Sequence, residues 1–302
     1  MRLTNKPEWF RKVIRPNDLI EMRGLIRENR LNTVCEEAAC PNRGECYKNK
    51  TLTVMILGRT CTRNCRFCNV ETKQPEDVDS DEPNRVARAL SMLHLDYVVI
   101  TSVTRDDLED GGAEHFVKTI KKFKEKNPHT VLEVLVPDFV HSIHKVVTAV
   151  PEVISHNVET IPRLYTAVRP QANYEKSLSL LALVKQINPE IYTKSGIMVG
   201  LGETWEEILG VMKDLRDVGC DIFTIGQYAR PSKRHIEVSE WIHPHTFEAY
   251  RNQAEELGFL HVESGPYVRS SFHAAEILTK INGKALTWPL RPEGTKIREL
   301  FS

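Results

Sequence analysis

The sequence predicts an α/β protein, a partial (β/α)6 barrel with N- and C-terminal extensions. Three observations carry that expectation. Six short runs rich in Val and Ile recur between residues 51 and 227. Amphipathic helical stretches lie between most of them. Polar and acidic residues gather where these runs end, which in a barrel is the rim that carries chemistry.

The six runs are "TLTVMIL" (51–57), "DYVVITS" (96–102), "VLEVLVP" (131–137), "EVISHNV" (152–158), "IYTKSGIMVG" (191–200) and "CDIFTIGQ" (220–227). Each is nearly continuous in apolar character, as strands buried on both faces are. Helical patterns fill "NRVARALSML" (84–93), "AEHFVKTIKKFKEK" (113–126), "YEKSLSLLALVKQI" (174–187) and "TWEEILGVMKDLRDV" (204–218). Alternation of this kind implies a parallel sheet with right-handed crossovers. A closed eight-fold barrel takes about 250 residues, so six units predict an open arc. The expected division is 1–50 as an N-terminal extension, 51–228 as the barrel core and 229–302 as a C-terminal extension. The last holds a helix ("PHTFEAYRNQAEELG"), an edge strand ("FLHVESG") and a basic tail.

Lys plus Arg equals Asp plus Glu, 41 against 41 in 302 residues. That balance gives no reason to expect nucleic acid or an anionic membrane as partner. The start lacks the apolar core of a secretory signal, and no apolar stretch approaches the ~18 residues of a membrane span. A soluble, cytoplasmic protein is expected. In that compartment clustered cysteines point to metal or redox chemistry before disulfides. Residues 1–30 carry eight basic and four acidic side chains. This arm reads as a solvated basic segment or as a docking arm for an acidic partner. Cys220, alone in "LRDVGCDIFTIG", is expected to be a small buried apolar residue.

The strand ends supply Asn157, Glu159, Lys194, Glu203 and Gln227 on the expected rim. The remaining six of the seven cysteines fall within residues 35–68 as two triplets. Cys61, Cys65 and Cys68 have the spacing C-x3-C-x2-C and begin where the first strand ends. Three thiolates can hold three corners of a cubane iron–sulfur cluster and leave the fourth iron open to a small molecule. A structural zinc site would demand a fourth ligand per site. Cys35, Cys40 and Cys46 form the other triplet, C-x4-C-x5-C.

The 61–68 triplet after strand one resembles the radical S-adenosylmethionine (SAM) superfamily, and "GIMVGLGE" (196–203) resembles its glycine-rich segment beside the adenine. The resemblance implies that the open iron binds the methionyl amino and carboxylate groups. One electron then cleaves the sulfonium to give a 5′-deoxyadenosyl radical. The 35–46 triplet, within "TVCEEAACPNRGEC", resembles the auxiliary-cluster motif of the lipoyl synthase family. The match continues through "MILGRTCTRNCRFCNV", "YVVITSVTRDDLEDGGAEHF", "HNVETIPRLYTAVRP", "TKSGIMVGLGET", "DIFTIGQY" and "GPYVRSSFHA". It spans about residues 6 to 274.

That resemblance implies two 4Fe–4S clusters and SAM as cofactors, and sulfur insertion at C6 and C8 of an octanoyl-lysine on a carrier protein or domain. Cys61, Cys65 and Cys68 would hold the radical cluster. Cys35, Cys40 and Cys46 would hold the auxiliary cluster, the sulfur source, with Ser271 of "RSS" as its fourth ligand. From the residues alone, "RSSF" reads equally as a helix cap ahead of "HAAEILTKI". Asn157, Glu159, Lys194, Gly200 and Glu203 are the expected SAM contacts. Phe272, where the family usually has tyrosine, and Arg59, where it usually has an acidic or small residue, depart from the pattern. An electron donor and a cluster-repair protein are implied without identity. A methylthiotransferase acting on tRNA is the alternative within the superfamily, though it would normally carry an RNA-binding domain and a more basic charge. A two-cubane electron carrier would need four cysteines per cluster.

Overall fold

The structure is a computed structural model that describes residues 6–12, 19–48, 51–93 and 95–271. Arg15, Phe272 and the tail at 275–302 lie outside these residues, as does the helix expected after "RSSF". In chain order the strands are β1 (Asn32–Thr33), β2 (Thr53–Ile56), β3 (Thr60–Cys61), β4 (Glu71–Thr72), β5 (Tyr97–Ser102), β6 (Val131–Leu135), β7 (Val153–Ser155), β8 (Tyr192–Val199), β9 (Ile222–Gln227) and β10 (His261–Gly265). The helices are α1 (Ile20–Glu28), α2 (Val34–Glu37), α3 (Arg43–Lys48), α4 (Glu82–Ser91), α5 (Ala113–Lys126), α6 (Ile143–Thr148), α7 (Tyr165–Val168), α8 (Tyr174–Ile187), α9 (Trp205–Asp217) and α10 (Pro244–Glu256).

Eight strands form one sheet in the order β1-β2-β5-β6-β7-β8-β9-β10. Every pair from β2 to β10 is parallel, and only β1 runs antiparallel, at the edge. The two edges, β1 and β10, do not pair with each other, so the sheet is the expected open arc. The six predicted strands appear, each trimmed by one or more residues, and β10 is the predicted edge strand. α5 and α8 match their expected bounds. α9 starts where Thr204 and Glu207 form a reciprocal cap, which satisfies two of the donors that a helix start leaves free. α6 was not anticipated. Its core face is Ile143, Val146 and Val147, β-branched residues with poor helix propensity that tertiary burial holds in place.

Two layers of apolar packing fix the arc. One core runs from Met22 and Ile26 of α1 through β2, β5 and β6 to Phe116 and Phe123 of α5. The other joins β8 and β9 to α9 and α10. A third, smaller cluster of Tyr97, Val99, Val153 and Ile222 plugs the lower interior of the arc. Cys220 is fully buried, and its thiol is pushed up to about 12 by desolvation, as expected for an inert apolar residue.

The N-terminal extension packs against Tyr267, which follows β10. Phe10 stacks on Tyr267 with centroids 4.8 Å apart and an interplanar angle of 2°. Asn42 donates to the Tyr267 carbonyl at 2.8 Å, and Lys12 sits over the Tyr267 ring at 4.8 Å. Gly226 makes this closure possible. A Cβ there would lie 2.1 Å from the Val268 carbonyl oxygen, so only glycine lets the 266–271 segment press onto β9.

Candidate active site

Above the plug, a cavity of about 710 Å³ opens at the carboxyl ends of the strands. Cys61, Cys65 and Cys68 line one part of it, Cys35 and Cys40 another, and Ser271 also lines it. Cys46 is not in that lining, but it lies close enough to Cys35 and Cys40 for their charges to act on one another. The three thiols of the second triplet interact likewise. Cys35 is on α2 and Cys46 on α3 with Cys40 between them, whereas Cys61 ends β3 and Cys65 and Cys68 follow it; all but Cys46 line one space.

The donor chemistry fits iron–sulfur clusters. Burial pushes the Cys35, Cys46 and Cys68 thiols up to about 12. These thiols are neutral at ordinary pH, and binding iron must expel their protons. Burial also raises Cys65, opposed by the Arg169 guanidinium beside it. Among the described residues, no three His, Cys, Asp or Glu side chains converge on a single ion. Ligands of a cubane each meet a different iron.

The segment Arg269–Ser271 crosses from one triplet to the other. Ser270 donates to Asn157 Oδ1 at 3.2 Å, on the side of Cys65. Ser271 Oγ accepts from Thr53 Oγ1 at 2.8 Å, on the side of Cys35. Arg269 lies between, lowered by burial and supported by the charges of Cys40 and Glu159. Lys12, expected in a free docking arm, is instead bound inside the molecule. It donates to Asn42 at 3.0 Å and to Glu45 at 2.6 Å on α3.

The five expected SAM contacts separate into two groups. Asn157 and Glu159 line the cavity. Asn157 Nδ2 donates to Glu159 Oε1 at 3.2 Å, and burial raises the Glu159 carboxyl. Glu159 also has a left-handed backbone (φ 65°), pinned by hydrogen bonds to Gly196 and Met198 of 3.0 and 2.9 Å. That conformation costs a non-glycine residue about 1–2 kcal/mol, and such strain gathers at functional positions.

Lys194, Gly200 and Glu203 are not part of the cavity lining. Lys194 is on the inner face of β8, two residues before the cavity-lining Gly196. Its ammonium is fully buried against Glu133 at 2.9 Å, and Tyr97 donates to the same carboxylate oxygen at 2.7 Å. Glu203 turns back to accept from the backbone N–H groups of Gly200 and, at 2.9 Å, Leu201. Gly200, at φ 97°, presses against Gln227 and the Glu240 carbonyl. Gln227, also expected on the rim, holds the 240–242 segment through Glu240 O and Ile242 N, at 3.0 and 2.9 Å. Arg59 is exposed and is not part of the cavity lining.

Lys194→Met should therefore destabilise the fold by about 3–5 kcal/mol, the usual effect of stranding one partner of a buried pair. Lys194→Met combined with Glu133→Gln should recover most of it. Urea denaturation midpoints of the two variants decide the matter.

A buried charge cluster that sequence patterns did not reveal completes the wall. Asp138 lies 3.0 Å from His156 Nε2 and 3.6 Å from Arg169, and is bonded to Arg63. Burial works against the Asp138 carboxylate, but the hydrogen bond with His156 and the charges of Arg169 and Arg63 outweigh it and hold the carboxyl well below its ordinary range. Arg63 also grips Asp106 through bonds of 2.9 and 2.8 Å, tying the cysteine loop to the end of β5. Arg169 donates to the Asn157 carbonyl at 3.1 Å. Arg63, Asp138 and Arg169 all line the cavity.

Comparisons with known proteins agree with this geometry. The radical SAM superfamily profile matches residues 55–215. The lipoyl synthase of Caldicellulosiruptor saccharolyticus is 56% identical over 285 residues, covering 93% of this chain and 100% of that protein. The lipoyl synthase of Caldanaerobacter subterraneus subsp. tengcongensis is 57% identical over 272 residues, covering 89% of this chain and 95% of its own length. Among solved structures, methylornithine synthase has a TM-score of 0.55 at 14% identity, covering 68% of this chain and 62% of that one. The FeFe-hydrogenase maturase HydG of Carboxydothermus hydrogenoformans has a TM-score of 0.54 at 14% identity, covering 76% and 65%. At such identities these two show the fold alone. A radical SAM domain implies one 4Fe–4S cluster and SAM. By its full-length relatives and its superfamily match, the chain belongs to the lipoyl synthase family of the radical SAM superfamily.

Proposed function

We propose that the chain inserts two sulfur atoms, at C6 and C8, into an octanoyl-lysine on a carrier protein or domain. The observation that supports this reading is that Cys61, Cys65 and Cys68 line the same cavity as Cys35, Cys40 and Ser271. Cys61, Cys65 and Cys68 are the ligands of the radical cluster. Cys35, Cys40, Cys46 and Ser271 are the ligands of an auxiliary cluster. When bound, the first group would supply an electron for SAM cleavage and the second would supply sulfide. Residues 1–50 carry the sulfur-site cysteines, 51–228 the radical barrel and 229–302 the extension that contains Ser271.

The chain's own residues divide the remaining work. Asn157 and Glu159 offer an amide and a carboxylate to the methionyl and ribose groups from the side of Cys65. Arg169 and Arg269 offset the negative charge that the cluster thiolates bring. Met55, Leu135, Val136 and Ile197 give the cavity apolar wall against which an octanoyl chain can lie at about 0.8 kcal/mol per buried methylene. Lys194, Gly200 and Glu203 act behind this lining, by holding the strand ends that form it.

Incubating the anaerobically reconstituted protein with SAM and an octanoyl-lysyl peptide should give a product heavier by two sulfurs in mass spectrometry. A peptide returned unchanged beside abundant 5′-deoxyadenosine would overturn the substrate assignment. Asn157→Ala and Glu159→Gln should each weaken SAM binding about tenfold or more, since a hydrogen bond to a charged group contributes ~1.5–3 kcal/mol. Equilibrium binding to the reconstituted variants reads this directly, and parental affinity in both would remove them from the site.

A further inference from the structure

A second cleft, of about 730 Å³, lies on the other side of the cysteine loop. Arg66, Arg230, Lys233 and Arg234 line it, with Glu71 and Glu237 as its carboxylates. Those two carboxylates are already engaged, Glu71 with Lys73 at 3.2 Å and Glu237 with Arg230 at 3.3 Å. Arg66, Lys233 and Arg234 are exposed, and among the described residues none has a carboxylate partner. Three uncompensated cations around one concavity focus a positive field that attracts an anionic surface. The chain as a whole has no net charge, so this field is local.

The cleft is joined directly to the radical-site loop. Cys68 lines both this cleft and the larger cavity. Buried His235 is held by Ser232 Oγ at 2.9 Å on one ring nitrogen and reaches the Cys68 carbonyl at 2.9 Å with the other. Ile236 N donates to the Arg66 carbonyl at 3.1 Å, and Tyr228 Oη donates to the Ile236 carbonyl at 2.9 Å. Val70 and Arg230 also line both spaces, so the cleft and the cavity adjoin along a stretch of chain that these bonds brace.

We propose that this cleft is the docking surface for an acidic, low-potential electron-transfer protein. The inference rests on the radical-site reading of Cys61, Cys65 and Cys68. An electron can cross a packed wall, whereas an octanoyl chain cannot, so a cleft behind the loop suits a reductant and not the carrier. The step is a transfer of one electron from the reduced centre of the donor to the oxidised cluster. No bond forms or breaks and no proton moves.

The test uses the fully reconstituted protein and its Lys233→Glu/Arg234→Glu variant, both residues being exposed and outside the reaction site. A small acidic ferredoxin serves as the protein reductant and reduced methyl viologen, a cation, as the small one. Ferredoxin-driven bleaching of the cluster absorbance in stopped flow should slow as salt is raised. It should be about tenfold slower or more in the variant at low salt. Affinity between the two oxidised proteins should fall in parallel, and viologen-driven bleaching should not slow. Equal ferredoxin rates and affinities for both proteins would overturn the proposal. So would slower bleaching by viologen, which would mean a disturbed cluster. So too would viologen-driven turnover with a raised KM for the octanoyl carrier, which would make the surface a carrier dock. Two-sulfur product under viologen would leave the proposed reaction standing in each of these cases.

Discussion

Ser271→Ala is expected to keep SAM cleavage and lose nearly all two-sulfur product, a drop of about a hundredfold or more. On the proposed reading three cysteines leave one iron of the auxiliary group without a thiolate, and Ser271 is one of the hydroxyls in the same cavity as Cys35 and Cys40. Its oxygen accepts from Thr53 of β2 at 2.8 Å, which fixes the position of the hydroxyl against the sheet. An oxygen ligand is harder than thiolate and holds iron less firmly, which suits a group that must surrender sulfide. Ser271→Cys should preserve iron content while slowing sulfur release. 5′-Deoxyadenosine and peptide mass, measured in the same reaction, separate the two activities. Parental yield of product from Ser271→Ala would leave Ser271 as a structural hydroxyl.

The two cysteine triplets should fail in opposite ways. Replacing Cys61, Cys65 and Cys68 with alanine should abolish SAM cleavage and leave about four irons, the content of one cubane. Replacing Cys35, Cys40 and Cys46 should also leave about four irons, yet retain SAM cleavage. Iron assay and 5′-deoxyadenosine yield report both. If either triple variant lost all its iron, the thiols would form one interdependent site and not two.

The parts of this arrangement that follow local rules were legible in the residues. Strands buried on both faces read as Val- and Ile-rich runs, and a cysteine triplet needs only one short stretch of chain to assemble, so both could be placed by spacing. Depth along a strand could not. Lys194 is on the inward face of β8, as its position predicts. The cavity floor nevertheless lies above it, because Glu133, inside the apolar run "VLEVLVP", pairs with it below. Glu203 was expected to face the ligand. Instead, the left-handed turn at Gly200 and Gly202 leaves N–H groups that its carboxylate satisfies.

The charge cluster of Arg63, Asp138, His156 and Arg169 gave no periodic signal, because its members come from four separate strand ends and loops. Asp138 follows the end of β6 and His156 the end of the neighbouring β7, and a search of adjacent strand ends would have paired those two, but Arg169 follows α7 and would have escaped it. The brace between Lys12 and Glu45 joins residues 33 apart in sequence beside the Tyr267 ring, and no short-range pattern encodes that. The basic arm accordingly contributes at least one of its cations to internal structure and not to a free docking surface.

The claim at the centre of this account is that Cys35, Cys40, Cys46 and Ser271 hold the sulfur that the product receives. The direct measurement is to reconstitute the protein with heavy-isotope sulfide, remove excess sulfide, and react it with SAM and the octanoyl-lysyl peptide. Mass spectrometry should find both sulfurs of the product heavy in the first turnover, and no product from the Cys35, Cys40, Cys46 triple variant. Product carrying light sulfur, or labelled product from that triple variant, would contradict the account.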